Sequence, residues 1–441
     1  MTQPAAHTVS QAILAALLAL AAFAAATPYV LPAQDGTTQQ IAAGAIFAVS
    51  YLGLAIGKIP GLSIDRAGVA LVGACLMVAS GAMPLQDAYK AIDLDTVTLL
   101  LGMMIVVANL RLSGFFAAAN RFVGRHTRHP LMLLTAVTLV SGVFSAFLVN
   151  DAICLVLAPL VAELTVGLRR NPVPYLLAVA MASNVGSTAT ITGNPQNIMI
   201  GSFSQIPYLH FTAALAPVAA VGLLLTIALL AVFYRREFFT RDRLVPKAPR
   251  IRVNRALIAR SLVATVAVIA LFFAGQPPAK AAIVVGALLL LTRRLRANRV
   301  YAEVDWSLLL MFAGLFIIVA GAERVLLRPE WLAAAGALHL DRVPMLSLLT
   351  AVLSNLVSNV PAVLVLKPFV AALPDQVRAW LTIAMASTLA GNLTVLGSIA
   401  NLIVVEKARQ RGVGISFGAY ATVGAPLTVL TIAVGAFWLG R

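Results

Sequence analysis

Apolar runs of about 18 residues or more recur along this chain, the length that crosses a bilayer as a helix. One stretch breaks that pattern. Ser183 to Gly201, SNVGSTATITGNPQNIMIG, places Ser, Thr and Asn side chains, three glycines and a proline inside an apolar segment of spanning length. A lipid-facing helix does not tolerate this mixture, because each freed backbone group in hydrocarbon must find a partner. The stretch predicts a helix broken at mid-membrane and facing a binding cavity. A weaker copy, STLAGNLTVLGSIANLIVV, runs from Ser387 to Val405.

Around these breaks the apolar pattern predicts two similar halves. The first has helices near 40–57, 66–83 and 95–118, a long stretch 130–165 with Asn150 and Asp151 in its middle, the broken segment 174–203, and a helix near 207–234. The second has helices near 256–274, 278–296 and 305–327, a long stretch 343–372 centred on Ser358, Asn359 and Pro361, the broken segment 376–405, and a last helix near 416–438. Residues 1–28 hold an Ala/Leu-rich segment with no Lys or Arg before it. It reads as a first helix outside the repeats rather than a cleaved signal.

Residue identities support a duplication. At an offset of 204, AMAS at Ala180–Ser183 meets AMAS at Ala384–Ser387, Thr190 meets Thr394, Gly193 meets Gly397, and Asn197 meets Asn401. At an offset of 209, Asn150 meets Asn359 and Pro159 meets Pro368. The stretches 130–165 and 343–372 are too long for one span and polar where a second crossing needs apolar residues. Each predicts a re-entrant hairpin with its tip at mid-depth; two ordinary helices per stretch is the alternative. Either way each half crosses an odd number of times, so the halves insert upside down relative to each other. The expected fold class is an all-α polytopic membrane protein. It has two inverted repeats, each with a re-entrant hairpin and a broken helix, and about 11 transmembrane helices plus two hairpins. The expected divisions are 1–34, a first repeat 35–235, a basic linker 236–255 and a second repeat 256–441.

Composition agrees: 61% of the 441 residues are hydrophobic and 11% charged, and mean hydropathy is +0.94. The net charge of +16 invites a nucleic-acid reading. Its distribution favours cytoplasmic loops instead, since 24 of the 32 Lys and Arg fall on one face when the Arg-rich linker is placed inside. That orientation predicts a multi-pass protein of a bacterial-type inner membrane, with lipid and not nucleic acid as its surroundings. Cys75 and Cys154 both lie in apolar segments and read as small core residues, and five scattered His predict no metal site. No nucleophile–base pair or metal cluster predicts an enzyme, and no cofactor beyond a coupling H⁺ or Na⁺ is expected.

The breaks suggest where chemistry sits. Asn194 precedes Pro195 and can cap a half-helix; Ser398 can cap its equivalent. With Asn150 and Asn359 at the hairpin turns, up to four helix N-termini face the mid-plane, each carrying unpaired N–H groups and about half a positive charge. Such a cluster suits an oxyanion or an oxygen-rich solute. The unwound carbonyls around Ser187–Gly193 and Gly391–Gly397 suit Na⁺ or a proton-bearing group. Asp151 is the acid best placed at mid-depth, where burial and helix N-termini oppose each other in setting its charge.

SNVGSTATITGNPQN, FLVNDAICLVLAP and SNVPAVLVLKPF resemble the ion transporter superfamily over about residues 40–438. That group includes arsenite efflux permeases, related sodium/proton antiporters, citrate carriers and divalent-anion/sodium symporters. The resemblance implies a homodimer and a small oxyanion or oxyacid held between hairpin tips and helix breaks. It marks Asn150, Thr190, Asn194, Asn197, Ser358, Asn359, Thr394, Ser398 and Asn401 for substrate, and Asp151, Gly193 and Gly397 for ion coupling. The tip Val149-Asn150-Asp151 differs from the Ser-Asn-Thr of dicarboxylate symporters. An acid beside the substrate disfavours a carboxylate and favours proton coupling with a neutral or weakly charged solute. The expected function is therefore proton-coupled efflux of arsenite, antimonite or a similar small oxyacid. Sodium-coupled uptake of sulfate or a dicarboxylate, or sodium/proton antiport, is the alternative.

Overall fold

A computed structural model describes residues 36–56, 64–240, 243–244, 254–291, 295–326 and 338–441, and all regular structure among them is helical. The N-terminal segment 1–34 and most of the linker 236–255 lie outside the described residues.

The chain runs twice through one order of elements. The first repeat has helices Gly36–Ile56, Arg66–Ala79 and Leu94–Ser113, then two hairpin arms, Pro130–Phe147 and Asn150–Gly167. A pre-break helix Pro172–Ser187, a 3₁₀ turn Ile191–Gly193 and a post-break helix Pro195–Ser204 follow, and Tyr208–Phe233 closes the repeat. The second repeat has Arg255–Phe273, Pro278–Leu290 and Trp306–Leu326, then Val343–Val357 and Asn359–Val370. Its break is built from Gln376–Ala390, Val395–Gly397 and Ile399–Arg409, and Phe417–Leu439 closes it. This is the all-α class with a hairpin and a broken helix in each repeat. Seven helices among the described residues are long and apolar enough to cross a membrane, and five shorter apolar helices accompany them.

Several boundaries differ from expectation: Arg66–Ala79 stops short of 83, and Pro278–Leu290 stops short of 296. The third helix ends at Ser113 rather than near 118, because Gly114 turns left-handed at φ +83° and starts a separate amphipathic helix, Phe115–His126. Capping explains several starts. The Asn171 side chain accepts from Val173 N–H ahead of Pro172, and Asp375 accepts from Arg378 N–H at the matched position of the second repeat.

The helices gather into two compact units that cut across the repeats. Among the described residues, one comprises those up to 97 together with those in 305–340 and 356–373; the other comprises those in 98–304, 341–355 and 374–441. In the first, Trp306–Leu326 packs against Gly36–Ile56, Arg66–Ala79, Leu85–Ala91 and Asn359–Val370. There Tyr51 donates its hydroxyl to the Pro361 carbonyl at 3.3 Å. In the second unit, the arm Pro130–Phe147 packs along the pre-break helix Pro172–Ser187, and the two closing helices pack together. Each post-break helix also lies on the pre-break helix of the other repeat. A mostly buried ion pair holds the chain just after the first closing helix: Arg170 Nε sits 2.8 Å from Glu237 Oε1, which also accepts from Tyr175.

Candidate functional site

Both breaks are built alike. Thr190 and Thr394 leave the helix in extended conformation, a 3₁₀ turn follows, and Asn194 and Ser398 are extended again. Their side chains then cap the post-break helices: Asn194 Oδ1 accepts from Asn197 N–H at 2.9 Å, and Ser398 Oγ accepts from Ala400 N–H at 3.3 Å. Each cap leaves a positive helix end inside the unit.

Freed carbonyls inside a membrane need donors, and one residue supplies them in each repeat. Asn197 Nδ2 donates to Ser187 O at 3.2 Å and Thr190 O at 3.0 Å. Asn401 Nδ2 donates to Gly391 O at 2.7 Å and Thr394 O at 3.1 Å, the same two places 204 residues on. The clamp needs the chain to fold back tightly. A Cβ at Gly193 would lie 2.1 Å from Ser187 O, and one at Gly397 would lie 2.8 Å from Gly391 O.

A buried hub joins the parts. Asn184 Nδ2 donates to Asn392 Oδ1 and Asn401 Oδ1, both at 2.9 Å. Its Oδ1 accepts from Asn150 Nδ2 and from Ser398 Oγ, both at 3.1 Å. Two donors and two acceptors exhaust the capacity of an amide. The orientation follows from the network, since Asn392 and Asn401 spend their own amide nitrogens on carbonyls. Thr388, which the 204 offset pairs with Asn184, plays the reciprocal part. Its hydroxyl accepts from Asn194 Nδ2 and Gln196 Nε2, both at 3.1 Å, and faces Asn197 Oδ1 at 3.5 Å.

The hairpin tip reaches this hub. Val149 N–H donates to Thr192 O at 3.4 Å, and Ser183 Oγ donates to Asn150 O at 3.3 Å. Val149 is held at φ +32° and its counterpart Ser358 at φ +76°, a region side chains enter at a cost. Thr190 donates to Ala146 O of the first arm. Asp151 stands half-buried in the first turn of the return arm, at that helix's positive end.

Of the residues marked in the sequence, Asn150, Thr190, Asn194, Asn197, Ser398 and Asn401 thus join one hydrogen-bonded cluster. Thr394, Gly193 and Gly397 shape its backbone. Ser358 and Asn359 belong to the other unit, where Asn359 is buried at the start of its helix. Sequence reasoning missed Asn184, Thr388, Asn392 and Gln196. None of the four has an identical residue at the 204 offset, so a search for matched identities passes over them. It also missed Glu323, whose Oε1 is buried without a hydrogen-bond partner, in a helix read only for its apolar run. Among the described residues there is no cluster of three or more His, Cys, Asp or Glu suited to a metal.

Other buried oxygens lack a hydrogen-bond partner: Asn150 Oδ1, and the hydroxyls of Thr138, Ser141 and Ser145 in the first repeat and Ser347 and Thr350 in the second. Each such group costs about 1–3 kcal/mol if nothing meets it.

The citrate transporter family model, CitMHS, matches residues 51–390. The chain belongs to that family. Relatives include the silicon efflux transporter LSI3 of Oryza sativa subsp. japonica, 28% identical over 90% of this chain and 96% of the rice protein. The inner membrane protein YbiR of Escherichia coli K12 is 31% identical over 75% of this chain and 84% of its own length. The putative transporter arsB of Dictyostelium discoideum is 25% identical over 85% and 87%. Among solved structures, the YdaH transporter of Alcanivorax borkumensis superposes with a TM-score of 0.56 at 16% identity, covering 91% of this chain and 97% of that one. The family and the fold make the chain a multi-pass membrane transporter.

Proposed function

We propose that this chain exports a small, weakly charged oxyacid, such as arsenous or silicic acid, in exchange for protons by alternating access of its two repeats. The observation that carries this reading is the junction of the hairpin tip with both breaks. Asn150, Asn184, Asn194 and Ser398 meet there beside three helix N-termini, the buried Asn150 Oδ1 is left without a hydrogen-bond partner, and Asp151 stands in the same first helical turn. Hydroxyls of an uncharged oxyacid suit such donors and acceptors, and a carboxylate at the tip repels a second carboxylate. The names of the rice and Dictyostelium relatives point the same way. In this reading Asp151 carries the proton, the repeats are 35–235 and 256–441, the linker 236–255 is cytoplasmic, the membrane is a bacterial inner membrane and the protein works as a homodimer.

Transport in proteoliposomes, with proton and sodium gradients varied separately across a panel of oxyacids and carboxylates, tests it. Arsenite or silicic acid should move against a proton gradient, and Asp151→Asn should lower that flux by at least about a hundredfold. Equal flux in both proteins overturns the role of Asp151. The second reading is sodium-coupled uptake of citrate or another carboxylate. The family description favours it. Sodium-dependent citrate uptake without arsenite flux would establish it instead.

A further inference from the structure

The first hairpin arm, Pro130–Phe147, carries Thr138, Ser141 and Ser145. The matching helix of the second repeat, Val343–Val357, carries Ser347, Thr350 and Ser354, each exactly one 209-residue offset away. All six are fully buried, and they share one helix face, since i, i+3 and i+7 positions align. Met132, Leu139 and Val143 of the first arm, and Leu348, Val352 and Leu356 of the second, are exposed on other faces. Five of the six hydroxyls meet no hydrogen-bond partner among the described residues, and the sixth, Ser354, donates to Ser387 O at 3.0 Å.

Buried hydroxyls on helices ordinarily turn back onto the carbonyl four residues earlier. Thr135, on the same arm, does so with Leu131 O at 3.0 Å, and Thr165, Thr226 and Thr431 do likewise. The rows at 138, 141 and 145 and at 347 and 350 do not, in either repeat. Buried polar groups that protein atoms leave unsatisfied are where ordered water bridges, and two of the three matched pairs, Thr138 with Ser347 and Ser141 with Thr350, are unsatisfied in both repeats. Each row spans about 10 Å of helix at 1.5 Å per residue. The first ends five residues before Asn150, whose Oδ1 is itself buried and unpaired.

We infer that the two hydroxyl rows are a built path for water, one per repeat, along which a proton reaches the hairpin tip. Hydroxyls suit this because each both donates and accepts, so a file of waters can pass a proton along without a charged side chain in the path. The hydration stands on the unpaired hydroxyls alone; its use by protons rests on the proton-coupled reading above.

Thiol labelling of the full chain in proteoliposomes tests it, in a background with Cys75→Ala and Cys154→Ala. Single Ser141→Cys, Thr350→Cys and, as a buried apolar control on another face of the same arm, Leu133→Cys are treated with methanethiosulfonate ethylammonium. This reagent attacks thiolates, which form only where water reaches, so the two row positions should label at least about tenfold faster than the control. Equally slow labelling at all three overturns the water path. A Ser141→Ala, Thr350→Val double variant should lower pH-driven flux about tenfold while leaving the substrate dissociation constant unchanged. Undiminished flux overturns the proton's use of the rows. If the thiols label but wild-type transport ignores the proton gradient, the coupling reading fails and the hydrated rows stand.

Discussion

The two helix breaks share a backbone and differ in their side chains. Both use an extended Thr, a 3₁₀ turn, a glycine pressed on a carbonyl and an Asn clamp at the same offsets. Yet the first is sealed, with every residue from Ser183 to Ile200 buried, whereas the second leaves Leu396 exposed and Leu393 and Thr394 half-buried. Their hubs differ too, a four-bonded amide at Asn184 against a single hydroxyl at Thr388. The backbone solution follows from the membrane, which demands that freed carbonyls be met. The side chains around it are free to diverge, and there the chemistry of one solute can be written.

The hubs offer the largest test. Asn184→Ala strands two buried amide oxygens, on Asn392 and Asn401, and leaves Asn150 and Ser398 without an acceptor. At roughly 1–3 kcal/mol per stranded group, softened by relaxation, the loss should be about 4 kcal/mol. Thr388→Val removes one acceptor shared by two amides, one of which also has Ser187 Oγ, so about 2 kcal/mol is expected. Thermal unfolding in detergent ranks them. Equal shifts would mean that the hubs are interchangeable and that the asymmetry carries no energy.

The glycines come next. Gly193→Ala pushes a methyl to 2.1 Å from a backbone oxygen, and Gly397→Ala to 2.8 Å. Backbone cannot swing aside as a side chain does, so about 3 kcal/mol is expected for the first and about 1 kcal/mol for the second. Asn197→Asp and Asn401→Asp then test what the breaks have in common. Each replaces two donated hydrogen bonds with a carboxylate facing carbonyls, and each should cost about 2 kcal/mol by the same melting assay. A large difference between these two would show that the clamps are not equivalent after all.

Much of this was legible in the chain. Polar residues inside apolar runs located both breaks and both tips, and Asn194 and Ser398 cap their helices as their types require. Matched identities flagged Asn197 and Asn401, though their amides serve carbonyls rather than standing open. What stayed hidden is what symmetry does not repeat. Asn184 has a Thr at its counterpart and so looked like an ordinary polar residue between helices. The hydroxyl rows did match, yet Ser and Thr on a membrane helix are usually silent because they bond their own backbone, and only coordinates reveal that these do not. The compact units escaped notice because sequence order says nothing of which helices from different repeats pack together.

The smallest expected effect is at the helix starts, where the repeats again match in place and differ in chemistry. Asn171 and Asp375 both cap pre-break helices, one neutral and one charged. The Arg378 backbone N–H, then the Arg378 side chain, hold the Asp375 carboxyl below its ordinary value of 3.8. A lowered value means the charged form is favoured by folding. Its contribution is complete above pH 3.8 and is lost as the pH falls through the lower folded value. Asp375 is solvent-exposed, so the contribution is a few tenths of a kcal/mol. Asp375→Asn keeps a capping oxygen while removing the charge, making the second start like the first. The variant should melt within about 0.5 kcal/mol of the parent at pH 7. The small gap between them should close as the pH falls from 3.8 through the lower folded value, below which the parent's carboxyl is protonated and also neutral. A gap that widens in acid would mean the charge opposes the fold, and that the neutral cap of the first repeat is the better of the two.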